Sequence, residues 1–250
     1  MEGKLIVVTG GEGFVGSNLI RRLIQSGNRV ISLDNNFAGD AVHIEGAEYR
    51  RGHTKDIAAC IPETPDLIFH LGEYARVEKS FEDIAVVWDL NVIGTFGVLE
   101  FWRAKKCKLV YAGSSTKFSD GGLGRDQSPY AWTKAANTEL VRNYGAWFGL
   151  SYAITYFYNV YGPGERAGSL GTLIEIFKQK FLKGETLTVV SPGTQRRNFT
   201  HVDDIVDGLI AVGDLGEGDD FGLGNVQDYS VLEIAQLFGG EVEMLPERPG

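Results

Sequence analysis

Cysteine is scarce in this 250-residue chain: Cys60 and Cys107 are the two, and they stand far apart. That excludes a disulfide scaffold and a thiolate metal site, and reduced thiols in a cytoplasmic protein are the expectation. An excess of positive charge is missing too. Lysine and arginine number 24 against 33 acids, a formal net charge of −9, and only Lys105, Lys106 and Lys108 form a short basic cluster. Nonspecific nucleic-acid binding needs a basic face, so no nucleic-acid partner is expected. No apolar run approaches the ~18 residues that a membrane span requires. The first nine residues hold a strand-length LIVVT where a signal peptide would carry a basic start and a longer apolar centre. Repeats and metal-ligand spacings are absent as well.

What is present is a core. Apolar residues make up 43% of the chain, enough for one large α/β domain with or without a small appendage. They fall into short β-branched runs separated by stretches of helical period. Strands are expected at 4–9, 29–33, 66–71, 108–113 and 151–157, with a weak one near 47–52, and helices at 14–25, 83–103 and 129–147. Such alternation implies parallel pairing through right-handed crossovers, hence a Rossmann-type doubly wound sheet. Past Tyr158 the texture changes, with helices expected at 172–183, 202–212 and 231–237 and a short strand at 186–190. Residues 1–158 therefore read as a cofactor-binding domain with a long helix. Residues 159–250 read as a smaller lobe over the carboxyl end of the sheet, sharing elements with the first. The abrupt ending LPERPG suggests a truncated lobe.

Glycine marks the first site. VVTGGEGFVGSNL places Gly10, Gly13 and Gly16 between a buried strand and a helix. Gly10 permits the sharp turn, Gly13 lets backbone approach a pyrophosphate, and Gly16 lets the helix pack close to the sheet. The pyrophosphate would rest on the unsatisfied N–H groups at the helix start. Asp34, followed by Asn35, ends the next strand. A carboxylate there binds ribose hydroxyls and repels a 2′-phosphate, favouring NAD, although it could simply begin a turn. Asp56-Ile57 follows the third strand, where it would meet adenine or cap a helix.

The stretch Ala112–Lys134 is either an active site or a surface loop before an ordinary helix. Tyr130 and Lys134 are four apart, a spacing that chance alone supplies about 0.4 times in a chain with this many tyrosines and lysines. Ser128-Pro129 is a helix start, which sets the two on one face. Ser114 follows a strand, at the edge where open α/β sheets bind ligands. A nearby ammonium and a cationic nicotinamide would make a tyrosine a usable base, and Ser114 could hold the substrate oxygen.

With TGGEGFVGSNL, LDN, DLIFHLGE, NVIGT, SPYAWTK, FYNVYGPGE, RRNFTHVDD and ERPG in order, the whole chain resembles the extended short-chain dehydrogenase/reductases, the nucleotide-sugar epimerase/dehydratase group. The resemblance implies Tyr130 as base, Lys134 as its partner and Ser114 as the substrate-oxygen donor, with Ser115 a register-shifted alternative. It implies backbone contacts to pyrophosphate from Phe14 and Val15, with Leu71, Gly72 and Glu73 running beside the cofactor and Tyr158 near the nicotinamide. Asn159, Arg197 and Arg248 would meet the substrate's nucleotide diphosphate. For Asn91 a buried structural bond is preferred over a cofactor contact. His70 reads as a strand-end residue and His201 as a core-edge one. A homodimer through 83–103 and 129–147 is also implied, with Val86, Leu90, Leu140 and Trp147 as apolar positions that suit either that surface or the core.

Two departures from the family bear on function. The 4,6-dehydratase pattern follows the catalytic hydroxyl with Asp-Glu, whereas Ser115-Thr116 stand here. Oxidation at C4 of a UDP-sugar by NAD and hydride return to the opposite face is then the simplest chemistry, a 4-epimerase. Glu73 replaces the family's usual small residue. It is expected to have a raised pKa and either to pair with Tyr74, Arg76 or Lys79 or to act as the acid/base of a dehydratase. A non-catalytic NAD-binding module is the third reading. The short loop between Ser114 and Tyr130 could widen the mouth or alter sugar selection.

Overall fold

The β-branched run at the start of the chain forms strand β1 (Leu5–Thr9), which leads through the glycine turn into helix α1 (Phe14–Gln25). The computed structural model describes the chain except positions 38, 40, 167–170 and 247–250, and the side chains at 117 and 119–123. Strands β2 (Arg29–Asp34), β3 (Glu48–Arg51) and β4 (Leu67–His70) follow, with the one-turn helix α2 (Ile57–Cys60) before β4. A short helix α3 (Ile84–Val87) runs through a π-helical stretch, Trp88–Ile93, into α4 (Gly94–Lys105). Then come β5 (Lys108–Ser114), a 3-10 segment at Ser115–Asp126, α5 (Pro129–Phe148) and β6 (Tyr152–Phe157). Ser128 caps α5 by accepting from the Ala131 N–H at 3.1 Å, and Gly149 ends it at φ 63°.

The remaining elements are β7 (Val160–Tyr161), α6 (Leu173–Leu182), β8 (Leu187–Val190), β9 (Arg196–Arg197), β10 (Thr200–His201), α7 (Val202–Leu215), β11 (Gly218–Leu223), β12 (Tyr229–Ser230), α8 (Val231–Phe238) and β13 (Val242–Leu245). The central sheet is parallel throughout, in the order β3-β2-β1-β4-β5-β6-β11. Its inner strands are buried on both faces, as parallel sheets require. One core packs α4 and α5 against one face through Trp102, Leu99 and Val141, and another packs α1 and α7 against the other through Leu19, Ile20 and Leu209. A separate small core around Phe177, Leu187 and Ile234 joins α6, β8 and α8.

The expected series of strands closed at 151–157, and the structure corrects this: β11 adds a seventh strand beside β6. Its sequence GDDFGL carries two glycines and two aspartates, so an edge strand was hidden by the lack of an apolar run. The helix expected at 83–103 is interrupted by the π stretch. As one continuous run, Ile84–Lys105 is long and apolar enough by length and composition to cross a membrane, but here it flanks the sheet with Val98, Leu99, Phe101 and Trp102 buried. Strand order reverses between β1 and β4, which opens a crevice at their carboxyl ends.

Candidate active site

That crevice is a cavity of about 470 Å³. Its floor is the turn after β1. Gly10 adopts φ +71°, and a Cβ there would stand 2.8 Å from the Gly72 Cα, so the loops after β1 and β4 meet backbone to backbone. A Cβ on Gly16 would overlap the Gly10 carbonyl. Gly13 is the N-cap of α1 and offers no side chain, leaving the first-turn N–H groups of Phe14, Val15 and Gly16 to face the cavity they line. These are the features a pyrophosphate cradle needs, and a side chain at Gly10 or Gly16 would force the backbone of the turn apart.

Asp34 lines the cavity at the end of β2. Burial pushes its carboxyl up, while the N–H groups of Asn36 (2.8 Å) and Glu12 (3.1 Å) donate to it and oppose that rise. The turn is present, since Asp34 and Asn35 both accept from the backbone two residues on, and both residues also line the cavity. Leu71, Gly72 and Glu73 line it from the β4 side, and Ser114, Tyr130 and Lys134 from β5 and α5. Ser114 is nearly buried and shares a 2.9 Å hydrogen bond with the Thr116 hydroxyl.

Beneath these residues lies a polar network inside the fold. The Lys134 ammonium donates to Glu73 Oε2 and to the Ala112 carbonyl, and it stands 4.6 Å from the Tyr111 ring centroid. Both ends of the ion pair are buried, with 6% and 3% of the side chains exposed. Glu73 Oε1 accepts from Asn137 Nδ2 (2.7 Å), the Thr95 hydroxyl (2.8 Å) and the Tyr111 hydroxyl (3.1 Å). Because Thr95 donates to Glu73, it accepts from His70 Nε2 at 2.9 Å. His70 Nδ1 then accepts from Thr9, whose oxygen takes the Gly72 N–H. Burial holds His70 neutral, its pKa lowered to about 4.

Glu73 thus departs from expectation. Burial pushes its carboxyl up, but Lys134, His70 and the hydroxyl donors outweigh this and hold it below the usual carboxylate range. Its partner is Lys134 rather than Tyr74, Arg76 or Lys79; the Tyr74 hydroxyl donates to Asp83 instead. The pairing was illegible because 61 residues separate the two.

Other expected residues fall elsewhere. Asp56 is exposed and Ile57 sits in the hydrophobic core, while Gly52 and Thr54 from the same segment line the cavity. Tyr158 packs on the opposite face of the sheet from Phe157. Side chains alternate along β6, so Phe157 reaches the cavity and Tyr158 does not, while Asn159, at φ 34°, and Val160 line it beyond the strand. Thr116 takes the place expected for Ser115 as the second hydroxyl in the lining. Arg197 is exposed on β9, outside the lining, and Arg248 lies outside the described residues. Asn91, fully buried in the π stretch, accepts from the Tyr74 N–H at 2.6 Å and donates to Thr133, a structural arrangement. His70 ends β4, and His201 caps α7 by accepting from the Asp203 N–H at 3.3 Å. The sequence reading missed Arg76, Glu165 and Arg166, which line the cavity from the segments after β4 and β7. Arg166 donates to the Glu12 carbonyl at 3.3 Å, across the glycine turn. Their only signal was charge in the otherwise loop-like strings EYARVE and GPGERAG.

Comparison with known proteins bears on the family and the fold. The model of the "NAD dependent epimerase/dehydratase family" matches residues 6–224. A putative UDP-glucose 4-epimerase of Methanocaldococcus jannaschii is 30% identical over 95% of this chain and 82% of its own length. UDP-glucuronic acid decarboxylase 1 of Xenopus tropicalis is 28% identical over 98% of this chain, which spans only 63% of that relative. Among solved structures, the Bordetella bronchiseptica enzyme WbmF in complex with NADH superimposes with a TM-score of 0.88 at 27% identity, covering 99% of this chain and 81% of that one. The chain belongs to the NAD-dependent epimerase/dehydratase family.

Proposed function

We propose that the protein is a UDP-sugar 4-epimerase. The observation that carries this is the state of Glu73, the carboxyl that the dehydratase reading would need: among the described residues it is consumed by Lys134 and three further donors. A carboxylate so held has no proton to give to a departing hydroxyl, which weighs against the dehydratase reading. Bound NAD would supply an acceptor, and later a donor, of hydride at the sugar carbon. Gly10, Gly13, Phe14, Val15, Gly16 and Asp34 would hold it. Ser114 would fix the C4 oxygen and Tyr130 would accept its proton, returning it after the 4-keto sugar has turned over. Asn159 lies at the mouth and would meet the diphosphate. The cofactor would thus rest on residues 1–158 and the sugar nucleotide be covered by 159–250.

Incubation with UDP-glucose, UDP-N-acetylglucosamine and UDP-glucuronate, followed by chromatographic separation of C4 epimers, tests the proposal. Epimer from one of them is expected; its absence for all three in NAD-loaded protein would overturn it. One observation favours a second reading, decarboxylation of a UDP-uronate: Arg76 lines the cavity close enough to Tyr130 to interact with it, where a guanidinium could hold a sugar carboxylate. Release of carbon dioxide from UDP-glucuronate would select that reading.

We also infer a homodimer through the two long helices. Leu90 is buried, and Val86 and Leu140 are half-buried against the core; Ile84, Trp88, Phe96, Trp132, Trp147 and Phe148 are exposed apolar residues of these helices. Both cysteines are free thiols, which suits a reducing compartment, and the cytoplasm is where we place the enzyme.

A further inference from the structure

We propose that Glu73 is a positioning residue that cancels the charge of Lys134, so that ionisation of Tyr130 is governed by the cofactor's nicotinamide ring. The inference rests on the reading of Tyr130 as the base. Lys134 has three N–H donors, and two are already committed, to Glu73 and to the Ala112 carbonyl at the end of β5. Its position under the cavity is therefore fixed from below by the fold, with one donor left for the cavity side. The electrostatic consequence follows from the same contact. A lone ammonium one helical turn from Tyr130 would stabilise the phenolate, but a carboxylate paired with that ammonium returns most of the field.

Arg76 brings a further positive charge toward Tyr130 that is the same in every form compared, and the groups around the pair add none. His70 from β4 is neutral, and Tyr111 from β5 is held protonated by burial and by Glu73. Tyr74 is tied to Asp83. Arg76 faces Tyr130 from the segment after β4, and itself faces Glu165 and Arg166 from the segment after β7. Glu73→Gln keeps a carbonyl oxygen for the Tyr111, Thr95 and Asn137 donors, so a comparison at Glu73 isolates the charge.

Direct titration of Tyr130 tests the proposal without any sugar: tyrosinate absorbance is followed against pH, with Tyr130→Phe subtracted as the blank. A failure to form epimer would leave this result untouched. In NAD-loaded Glu73→Gln the Tyr130 titration should move down by roughly one pH unit or more, as the unmasked Lys134 charge acts on the phenolate. Adding Lys134→Met to that variant should return it toward the wild-type value, because both charges are then gone. A titration that is unmoved or raised in folded Glu73→Gln overturns the proposal, since Glu73 would then be only a support for the lysine. Should Glu73→Gln not fold, the wild-type protein decides between its NAD- and NADH-loaded forms: the Tyr130 titration should rise when the ring loses its positive charge, and an equal titration in the two forms overturns the idea.

Discussion

Gly10 and Gly72 meet backbone to backbone at the reversal of strand order, with room for neither to carry a side chain outward: a Cβ on Gly10 would stand 2.8 Å from the Gly72 nitrogen as well as from its Cα. The contact closes the floor of the cavity and aims the first turn of α1 at it. Gly10→Ala meets both a positive φ and rigid backbone, so the turn must open. NADH affinity, measured by fluorescence titration, should fall tenfold or more, about 1.4 kcal/mol. Unchanged affinity in a folded variant would separate the glycine turn from cofactor binding.

Tyr130→Phe removes one hydroxyl from the cavity wall and no buried bond of the network below it. Loss of general-base catalysis costs on the order of 10²–10⁴ in rate. Turnover of the UDP-sugar should drop in that range while the melting temperature and NADH affinity hold within error. Comparable turnover by the phenylalanine variant would assign proton abstraction to another group.

Much of this site is readable where its parts are close in sequence. Gly10, Gly13 and Gly16 span one turn, and Tyr130 and Lys134 share one helix face, so spacing and local period suffice. The partner of Lys134 is different. Glu73 comes from the loop after β4, and only the packing of α5 against β5 brings one carboxylate oxygen to the ammonium and the other to Asn137. Arg166 arrives from still further along the chain. Tyr158 shows a third kind of limit: a motif locates an aromatic near the nicotinamide, but the pleat of β6 decides that Phe157 faces the cavity. β11 was hidden by its own composition, since two Gly and two Asp leave Phe221 and Leu223 without an apolar run around them.

Stability should fall on mild acidification because of His70. Its folded pKa, about 4, lies below the ordinary histidine value of 6.5, so between those values the unfolded chain binds the proton and the folded one does not. The contribution is fully present above pH 6.5 and is lost progressively down to about 4, by roughly 3 kcal/mol at most. Glu73, with a lowered folded pKa, loses its own contribution only further down, below the ordinary carboxylate range. Melting temperature against pH should therefore slope through this window, and His70→Gln should flatten the slope while lowering stability at neutral pH, because Gln cannot bridge Thr9 and Thr95 as the imidazole does. An equal slope in the variant would place the acid sensitivity elsewhere.

The exposed aromatic face of α3 to α5 carries the last prediction. Trp88 stacks on Trp132 with ring centroids 5.8 Å apart, and Ile84, Phe96 and Trp147 remain at least half exposed around or along the same two helices. A face of this kind is costly to leave in water and suits self-association, in which each copy buries the same side chains of the other. Light scattering at micromolar concentration should give the mass of two chains. Trp147→Glu, 63% exposed and outside the cavity lining, should shift the mass to one chain without loss of helical signal. A wild-type protein of single-chain mass would show that the face serves another purpose, and a Trp147→Glu dimer would move the contact toward Ile84 and Trp88.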